Sequence, residues 1–293
     1  MNVPYVQSSQ TIYISSSGKD FQDELEKVGV HFPNASQTVD KKTILDILLK
    51  PRPELENFTE ADFELFESSM DDSWTKKDLA LNILRTILPL EGLYSGKPFT
   101  GLKTFSPNFD PVNVAYYSAS TKKCLNHGIL SETEQYTRPN NDSPVVPNFF
   151  VKLKATQRKG SEVAGLRKIA HYGAIGSRAI YHLRNYGREP VYDLVARSFS
   201  FLYCARTISI FAHHVSPPDD DSTDKPHYHT TRIYTNSVLH SRDALVEIAT
   251  VARNTMDLCD QYREEAIEMA NDSLAKSKDG NLEKSIDREH QDE

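Results

Sequence analysis

Two lysines stand two residues apart in a segment that alternates like a half-buried strand. In FFVKLK, residues 149–154, successive side chains would point to opposite faces of a sheet. We expect the apolar face to be buried beneath the long helix that follows; it would consist of Phe149, Val151 and Leu153. The other face would carry Lys152 and Lys154. Like charges on one face repel, and burying an unpaired lysine is costly, so the pair calls for an explanation.

A metal-dependent nuclease site is one explanation for this spacing. In such a site, an acid from one strand and an acid-x-Lys pair from the next hold a divalent metal. The metal activates a water molecule and stabilises the charged transition state. Lys152-x-Lys154 has this geometry, but a lysine stands where the acid belongs. The alternative is that both lysines are solvated at a sheet edge, where they discourage pairing with another sheet.

Four histidines later in the chain raise the question of a zinc site: His213, His214, His227 and His229. Adjacent strand residues point to opposite faces, so His213 and His214 are not expected to share an ion, whereas His227 and His229 could. No cysteine or further acid has a suitable spacing beside them. We therefore expect ordinary hydrogen-bonded or surface histidines and no metal.

Basic residues extend from the two lysines into the following helix: Lys152, Lys154, Arg158, Lys159, Arg167, Lys168, Arg178 and Arg184. Three of them are the phosphate-binding candidates: Lys152, Lys168 and Arg178. The cluster could be a phosphate-binding face. It could also be a solvated helix face paired with the chain's surplus acids, which is the interpretation that the pattern alone favours.

The elements that must position these residues can be outlined from periodicity. The apolar periodicity of residues 19–92 predicts an N-terminal helical segment. Within it, Thr59 begins a helix with Asp62 as its capping partner. Residues 93–271 predict the core, which has strands at 149–154, 197–205, 207–215 and 227–235 and helices at 161–185 and 241–270. Gly165, Gly173 and Gly176 interrupt the first of these helices, and such glycines indicate close packing. Residues 1–18 and 272–293 are predicted to be disordered.

Composition narrows the class of protein. With 293 residues and 38% hydrophobic content, the chain can bury one sizeable core. It has no apolar run long enough for a membrane span, and its N-terminus does not read as a secretory signal. Three distant cysteines fit a reducing compartment, so we expect an intracellular protein of the cytoplasm or nucleus. The net charge of −7 argues against broad nucleic-acid binding.

The stretch VPNFFVKLKATQRKGSEVAGLRKIAHYGAIGSRAIYHLRNYG, residues 146–187, resembles a widespread fungal family of uncharacterised proteins. That family has a PD-(D/E)XK-like, restriction-endonuclease-type domain with the pattern PNFFLEAKGPDG, then RQACYDGALGAR, then a His and YG. Other segments are similar to it as well: LEKVGVHF, LLKPRPELENFTEADFELFES, FAHHV, PHYHTTRIYT and VARNTMDLCDQYREEAIEMAN. The resemblance therefore covers most of residues 21–271.

The departures from this family fall on its polar positions. The resemblance places Lys152 where the family has its metal-binding Glu, while Lys154 keeps the family Lys. If VNVAYYSA matches the family's PDLYYGA, Val114 replaces the second metal ligand. Asp110 lies four residues earlier and could substitute after a slip in register. This leaves Lys154 as a vestigial catalytic residue and Asp110 as a candidate acid.

Two further departures lie on the helix, where Lys168 replaces a Gln and Tyr172 replaces an Asp in an ungapped match. We therefore expect an α+β or α/β fold with a PD-(D/E)XK-like mixed sheet flanked by helices. The expected function is that of an impaired nuclease-like protein without a cofactor. We expect it to bind an unknown protein partner or, weakly, nucleic acid, and we do not expect it to bind a membrane. The alternative is an active Mg²⁺-dependent nuclease with a rearranged set of acids.

Overall fold

The structure, a computed structural model, describes residues 19–32, 37–71, 83, 86–88, 148–154, 161–219 and 226–289. The N-terminal elements are α1 (Lys19–Lys27), β1 (Val30–His31), α2 (Lys41–Leu48), a 3₁₀ turn (Pro53–Leu55) and α3 (Glu60–Asp71). The remaining elements are β2 (Phe149–Lys154), α4 (Ser161–Arg184), β3 (Ser198–Cys204), β4 (Thr207–Ser216), β5 (His227–Ser237) and α5 (Arg242–Glu289).

The strands form one mixed sheet in the order β1-β5-β4-β3-β2. β1 runs parallel to β5 and β2 runs parallel to β3, whereas β3, β4 and β5 pair antiparallel. Ala205 and Arg206 join β3 to β4 with φ angles of 52° and 64°; a positive φ at both turn residues matches the twist of a two-residue hairpin. The predicted mixed sheet with flanking helices and a long C-terminal helix is confirmed.

Helices cover both faces of the sheet. One face packs against α5 and the N-terminal helices, and its core includes Phe199, Phe201, Ile210 and Leu245. The opposite face packs against α4 through Leu202, Phe211 and Ile169 and, near β1, against α1. Every residue of β3 is buried, since this strand lies between the two layers. A strand covered on both faces is expected to be largely apolar, and in SFSFLYC the only strongly polar side chains are those of the small Ser198 and Ser200.

The two faces of β2 are as predicted, but only Leu153 of the apolar face is fully buried, and the helix over that face is not the predicted one. Leu153 is buried, and Phe149 and Val151 pack with it in the core that contains α5. The opposite face of β2 meets α4, because Phe150 lies against Tyr172 of that helix. The expectation that α4 buries the apolar face is therefore wrong. Alternation separates the two faces of a strand but does not show which helix covers each one.

The N-terminal helices dock on α5 through polar side chains. Asn254 donates from Nδ2 to the carbonyl oxygens of Leu48 and Lys50, both at 2.9 Å. These bonds satisfy carbonyl groups at the end of α2 that have no partner within the helix.

The predicted capping pair is present at the start of α3. Asp62 accepts hydrogen bonds from the Thr59 amide (2.8 Å) and hydroxyl (2.7 Å), and its own amide donates to Thr59 Oγ1.

The last helix extends beyond its predicted end. The sequence predicts an end near residue 270 and a disordered tail over 272–293, but α5 continues to Glu289. The added residues contain no proline, the residue that interrupts a helix most strongly, although Gly280 and several Asn, Asp and Ser residues have low helix propensity. Low apolar content therefore does not by itself prevent a helix. None of the helices in the described part of the chain is long and apolar enough to cross a membrane.

Several predictions fall on residues outside the described ranges. These are the disorder of residues 1–18, the part of the predicted core from residue 93 to 147, and most of the predicted helical segment between residues 72 and 92. Of that last stretch, residues 83 and 86–88 are described, and Ile83, Ile87 and Leu88 are buried in the core with α5.

Candidate functional site

Lys152 and Lys154 share the face of β2 that looks toward α4. Lys152 is the register partner of Leu202 and Lys154 that of Cys204, and neighbours in register point the same way. Leu202 and Cys204 pack against α4. Both lysines are half-buried, and β2 is an outer strand of the described sheet. The two ammonium groups therefore lie beside α4 at one margin of the sheet.

Helix α4 adds Lys168 to the same place. A Cβ at Gly165 would lie 3.1 Å from Leu202 Cδ1, and Leu202 is the register partner of Lys152. The part of α4 around Gly165 therefore lies at the same position along the strand as Lys152. Tyr172 is level with Phe150, at a ring separation of 5.8 Å. Lys168 is three residues after Gly165 and one turn before Tyr172, which places it between these two levels. The structure thus places Tyr172 beside β2, and helix geometry puts Lys168 on the same side of α4.

One predicted phosphate-binding candidate lies farther along α4. Arg178 is ten residues after Lys168, roughly 15 Å farther along the helix axis, and its Nε bonds to His182 Nε2 at 3.2 Å. Arg178 therefore does not share one phosphate with Lys152, and its role as a phosphate-binding candidate stays a prediction. Asp110 and Val114 lie outside the described residues.

The chemistry available at this place is that of cations. Among the described residues, no three His, Cys, Asp or Glu side chains lie close enough together to hold a metal ion. A Mg²⁺ site here would need acids from outside that part of the chain, such as Asp110. An ammonium group at Lys152 would repel a divalent cation at short range. It would attract a phosphate at the same distance.

A second group of basic residues lies on the opposite face, at the other end of the sheet. His31, His229 and His214 are register neighbours across β1, β5 and β4. Their rings stack in that order, with centroids 4.8 Å and 4.9 Å apart and interplanar angles of 12° and 19°. We call these three residues the histidine stack. It is built by the register, because residues paired across strands point to one face.

His227 and Asp219 flank the histidine stack. His227 Nδ1 lies 2.7 Å from His31 Nε2, within hydrogen-bonding distance, and the His227 and His229 rings are 6.4 Å apart. This confirms that His227 and His229 can share a face. His227 Nε2 lies 3.4 Å from Asp219 Oδ2 without the alignment of a hydrogen bond. The potential ligand atoms thus sit on opposite sides of the His227 ring, and they do not converge on one ion.

Burial keeps the histidine stack uncharged. It lowers the pKa of His229 to about 3, and the neighbouring rings of His214, His31 and His227 add to the shift. Burial also lowers the pKa of His31 and of His214. Four ring nitrogens in this region have no hydrogen-bond partner among the described residues: both of His214, Nδ1 of His229 and Nε2 of His227. Three carboxylates oppose the shifts weakly: Glu26, Asp40 and Asp219.

His213 points away from its neighbour, as adjacent strand residues should. Its Nδ1 lies 3.1 Å from Thr230 Oγ1 and its Nε2 lies 2.8 Å from Ser200 Oγ, so both ring nitrogens are hydrogen-bonded. The ring is 1% exposed and lies against Gly173 of α4. Burial lowers its pKa to about 3. His213 is therefore a satisfied core histidine that fixes the distance between α4 and the sheet.

A small cavity near the end of α4 offers no room for a substrate. Its volume is about 20 Å³, enough for about one water molecule. Asp193 lines it between Arg184 (3.0 Å) and Arg197 (2.6 Å). Burial alone would raise the pKa of Asp193, but these two guanidinium groups hold it below its ordinary value. The charges in this cavity already neutralise one another.

Sequence reasoning missed the histidine stack as a unit. It considered His214 and His229 but not His31, which lies in a strand of two residues that no periodicity can reveal. Only strand register brings the three rings together. It also missed Phe150 as a neighbour of Tyr172, although both lie at positions that the alternation and the helix would place on facing surfaces.

No family model matches the chain, and no significant match was found among curated proteins or solved structures.

Proposed function

We propose that this chain is a nuclease-like protein of the PD-(D/E)XK-like class in which a cationic surface replaces the metal site, so that it binds nucleic-acid phosphates without cutting them. The observation that carries the proposal is the grouping of Lys152 and Lys154 with Lys168 on facing surfaces of β2 and α4. We call these three residues the lysine group.

The lysine group suits phosphate binding better than metal chemistry. Metal-assisted hydrolysis needs carboxylate oxygens that concentrate the cation and lower the pKa of its bound water. Three ammonium groups supply hydrogen-bond donors and positive charge, which bind phosphate instead. Because the chain carries a net charge of −7, the attraction is local, and the affinity should be weak and sensitive to salt.

The test compares two triple variants that change the net charge equally. Lys152, Lys154 and Lys168 are replaced by Ala in one, and the exposed Lys42, Lys50 and Lys276 in the other. Binding of a fluorescein-labelled oligonucleotide is followed by anisotropy from low to physiological salt. The first variant should lose at least about tenfold in affinity and show a shallower salt dependence, because fewer counterions are released. The second should bind like the unaltered protein.

Three outcomes would contradict the proposal. Equal losses in both triple variants would mean that only net charge matters. No binding even at low salt would favour a protein partner, the other expectation from the sequence. Cleavage of the oligonucleotide with Mg²⁺ or Mn²⁺ that is lost in Lys154→Ala would establish the alternative, an active nuclease completed by an acid such as Asp110.

A further inference from the structure

An aromatic pair adjoins the lysine group. The rings of Phe150 on β2 and Tyr172 on α4 are 5.8 Å apart with an interplanar angle of 25°, and both side chains are part-exposed. Phe150 lies two residues before Lys152 on the same face, and Tyr172 lies one turn after Lys168. Two stacked rings are thus positioned directly beside the ammonium groups.

We propose that this surface takes single-stranded rather than double-stranded nucleic acid, with a base stacked on the Phe150–Tyr172 pair and the adjoining phosphates on Lys152 and Lys168. This inference rests on the proposed function, since it names the ligand class of the same surface.

The physical reason is that base faces are available only in a single strand. In a duplex, neighbouring bases cover one another, and a protein meets the phosphates and the groove edges. A ring platform beside lysines adds nothing to the binding of a duplex, whereas an unpaired base can stack on it whatever its sequence. Phe150 and Lys152 are about 7 Å apart along the strand, so a base on the ring pair leaves its neighbouring phosphate within reach of the lysine.

The surface is also rigid, because one ring belongs to a strand and the other to a helix. Tyr172 adjoins His171, whose buried ring meets Phe21 of α1 edge to face at 5.7 Å. A platform held by packed elements keeps its orientation without a ligand. The conformational entropy lost on binding is then mainly that of the nucleic acid.

The experiment measures anisotropy with three ligands of one sequence: a single strand, its duplex, and a single strand that contains abasic sites. The proteins are the unaltered chain, Tyr172→Leu, Tyr172→Phe, and Tyr186→Leu as a control beyond the end of α4. Circular dichroism melting shows whether each variant is folded. Phe150→Leu serves as a second variant if Tyr172→Leu does not fold.

The unaltered chain and the Tyr186→Leu control should bind the single strand about tenfold more tightly than the duplex. Abasic sites and Tyr172→Leu should each remove this preference, while the salt dependence set by the lysines stays the same. Tyr172→Phe should keep the preference, because it retains the ring. Equal affinity for single strand and duplex, unchanged in Tyr172→Leu, would overturn this inference and leave the proposed function standing. Failure to bind any of the three ligands would overturn both.

Discussion

Basic side chains occupy both faces of the sheet, but they differ in type and in surroundings. The lysine group lies at the β2 margin on the α4 side, where water reaches the half-buried side chains of Lys152 and Lys154. The histidine stack lies at the β1 end on the other face, and His214 at its inner end is 1% exposed. The lysine side chains at the margin stay in contact with water, while burial lowers the pKa of the stacked imidazoles.

The difference shows that residue type and surroundings together decide what a basic residue can do, because His31 and His229 are part-exposed like the two lysines but have a much lower ordinary pKa. A charge that remains in contact with water can attract a phosphate at little cost to the fold. A histidine that must stay neutral contributes packing, and its proton uptake then opposes folding. We therefore expect changes to the lysines to affect ligand binding, and changes around the histidines to affect stability.

The largest expected effect concerns Gly173, where α4 touches the sheet. In a helix, Gly→Ala should stabilise by about 1 kcal/mol through propensity. At Gly173, however, the new Cβ would overlap the buried ring of His213. We expect Gly173→Ala to lower the free energy of unfolding by at least about 3 kcal/mol, measured by urea denaturation.

Gly165→Ala is the matched control for this prediction. Its Cβ would lie 3.1 Å from Leu202 Cδ1, the mobile end of a side chain that can shift. We expect a change of less than about 1 kcal/mol in either direction. In the double variant Gly173→Ala with His213→Ala, the two changes should be less than additive, because the overlap is gone. Equal unfolding midpoints for the two single glycine variants would contradict the prediction.

The next effect is the pH dependence of stability. The pKa of His213 is about 3 in the folded protein, against an ordinary value near 6.5 in the unfolded chain. As the pH falls below 6.5, the unfolded state takes up protons that the folded state excludes, so stability falls. Between pH 8 and pH 5, His213 alone should remove about 2 kcal/mol of unfolding free energy. Above pH 7 the loss of unfolding free energy caused by His213 should vanish. Urea denaturation between pH 8 and pH 5 measures this loss.

His229→Phe tests whether the histidine stack shares in this loss. The variant keeps a ring between His31 and His214 but cannot take up a proton. It should reduce the loss between pH 8 and pH 5 by about 1 kcal/mol, allowing for the partial exposure of His229. His240 is exposed, and His240→Gln should leave the loss unchanged. If His229→Phe were as acid-sensitive as the unaltered chain, the stack would not be the part that resists protonation.

Local sequence patterns predicted much of the fold. Alternation identified β2, two adjacent apolar runs identified the β3–β4 hairpin, and Thr59 with Asp62 marked the start of α3, as the hydrogen bonds confirm. The layer order could not be predicted in this way. Which helix covers the Leu153 face depends on contacts between residues about a hundred positions apart, and no local period encodes them.

Only part of the candidate site could be predicted, again because local patterns do not encode contacts between distant elements. The pair Lys152 and Lys154 follows from the period of a strand, and Lys168 belongs to the basic cluster that the sequence shows, whereas the contact of Tyr172 with Phe150 depends on how α4 packs on β2. Arg178 was included because it is basic, although helix geometry carries it away from β2. The histidine stack depends on the register of β1, whose two residues give no signal.

The smallest expected effect is that of the lysines on stability, and it completes the contrast between the two regions. Replacing both Lys152 and Lys154 by Ala should change the unfolding free energy by less than about 1 kcal/mol at pH 8. Half-buried lysine stems contribute some packing, but charges in contact with water contribute little. The loss of unfolding free energy between pH 8 and pH 5 should match that of the unaltered chain, since lysine does not titrate in this range.

Urea denaturation at both pH values measures the effect of the lysines on stability, and the anisotropy assay measures their effect on ligand binding. A change of several kcal/mol would mean that the lysines stabilise the fold much as His213 does, and their grouping would then no longer argue for a ligand.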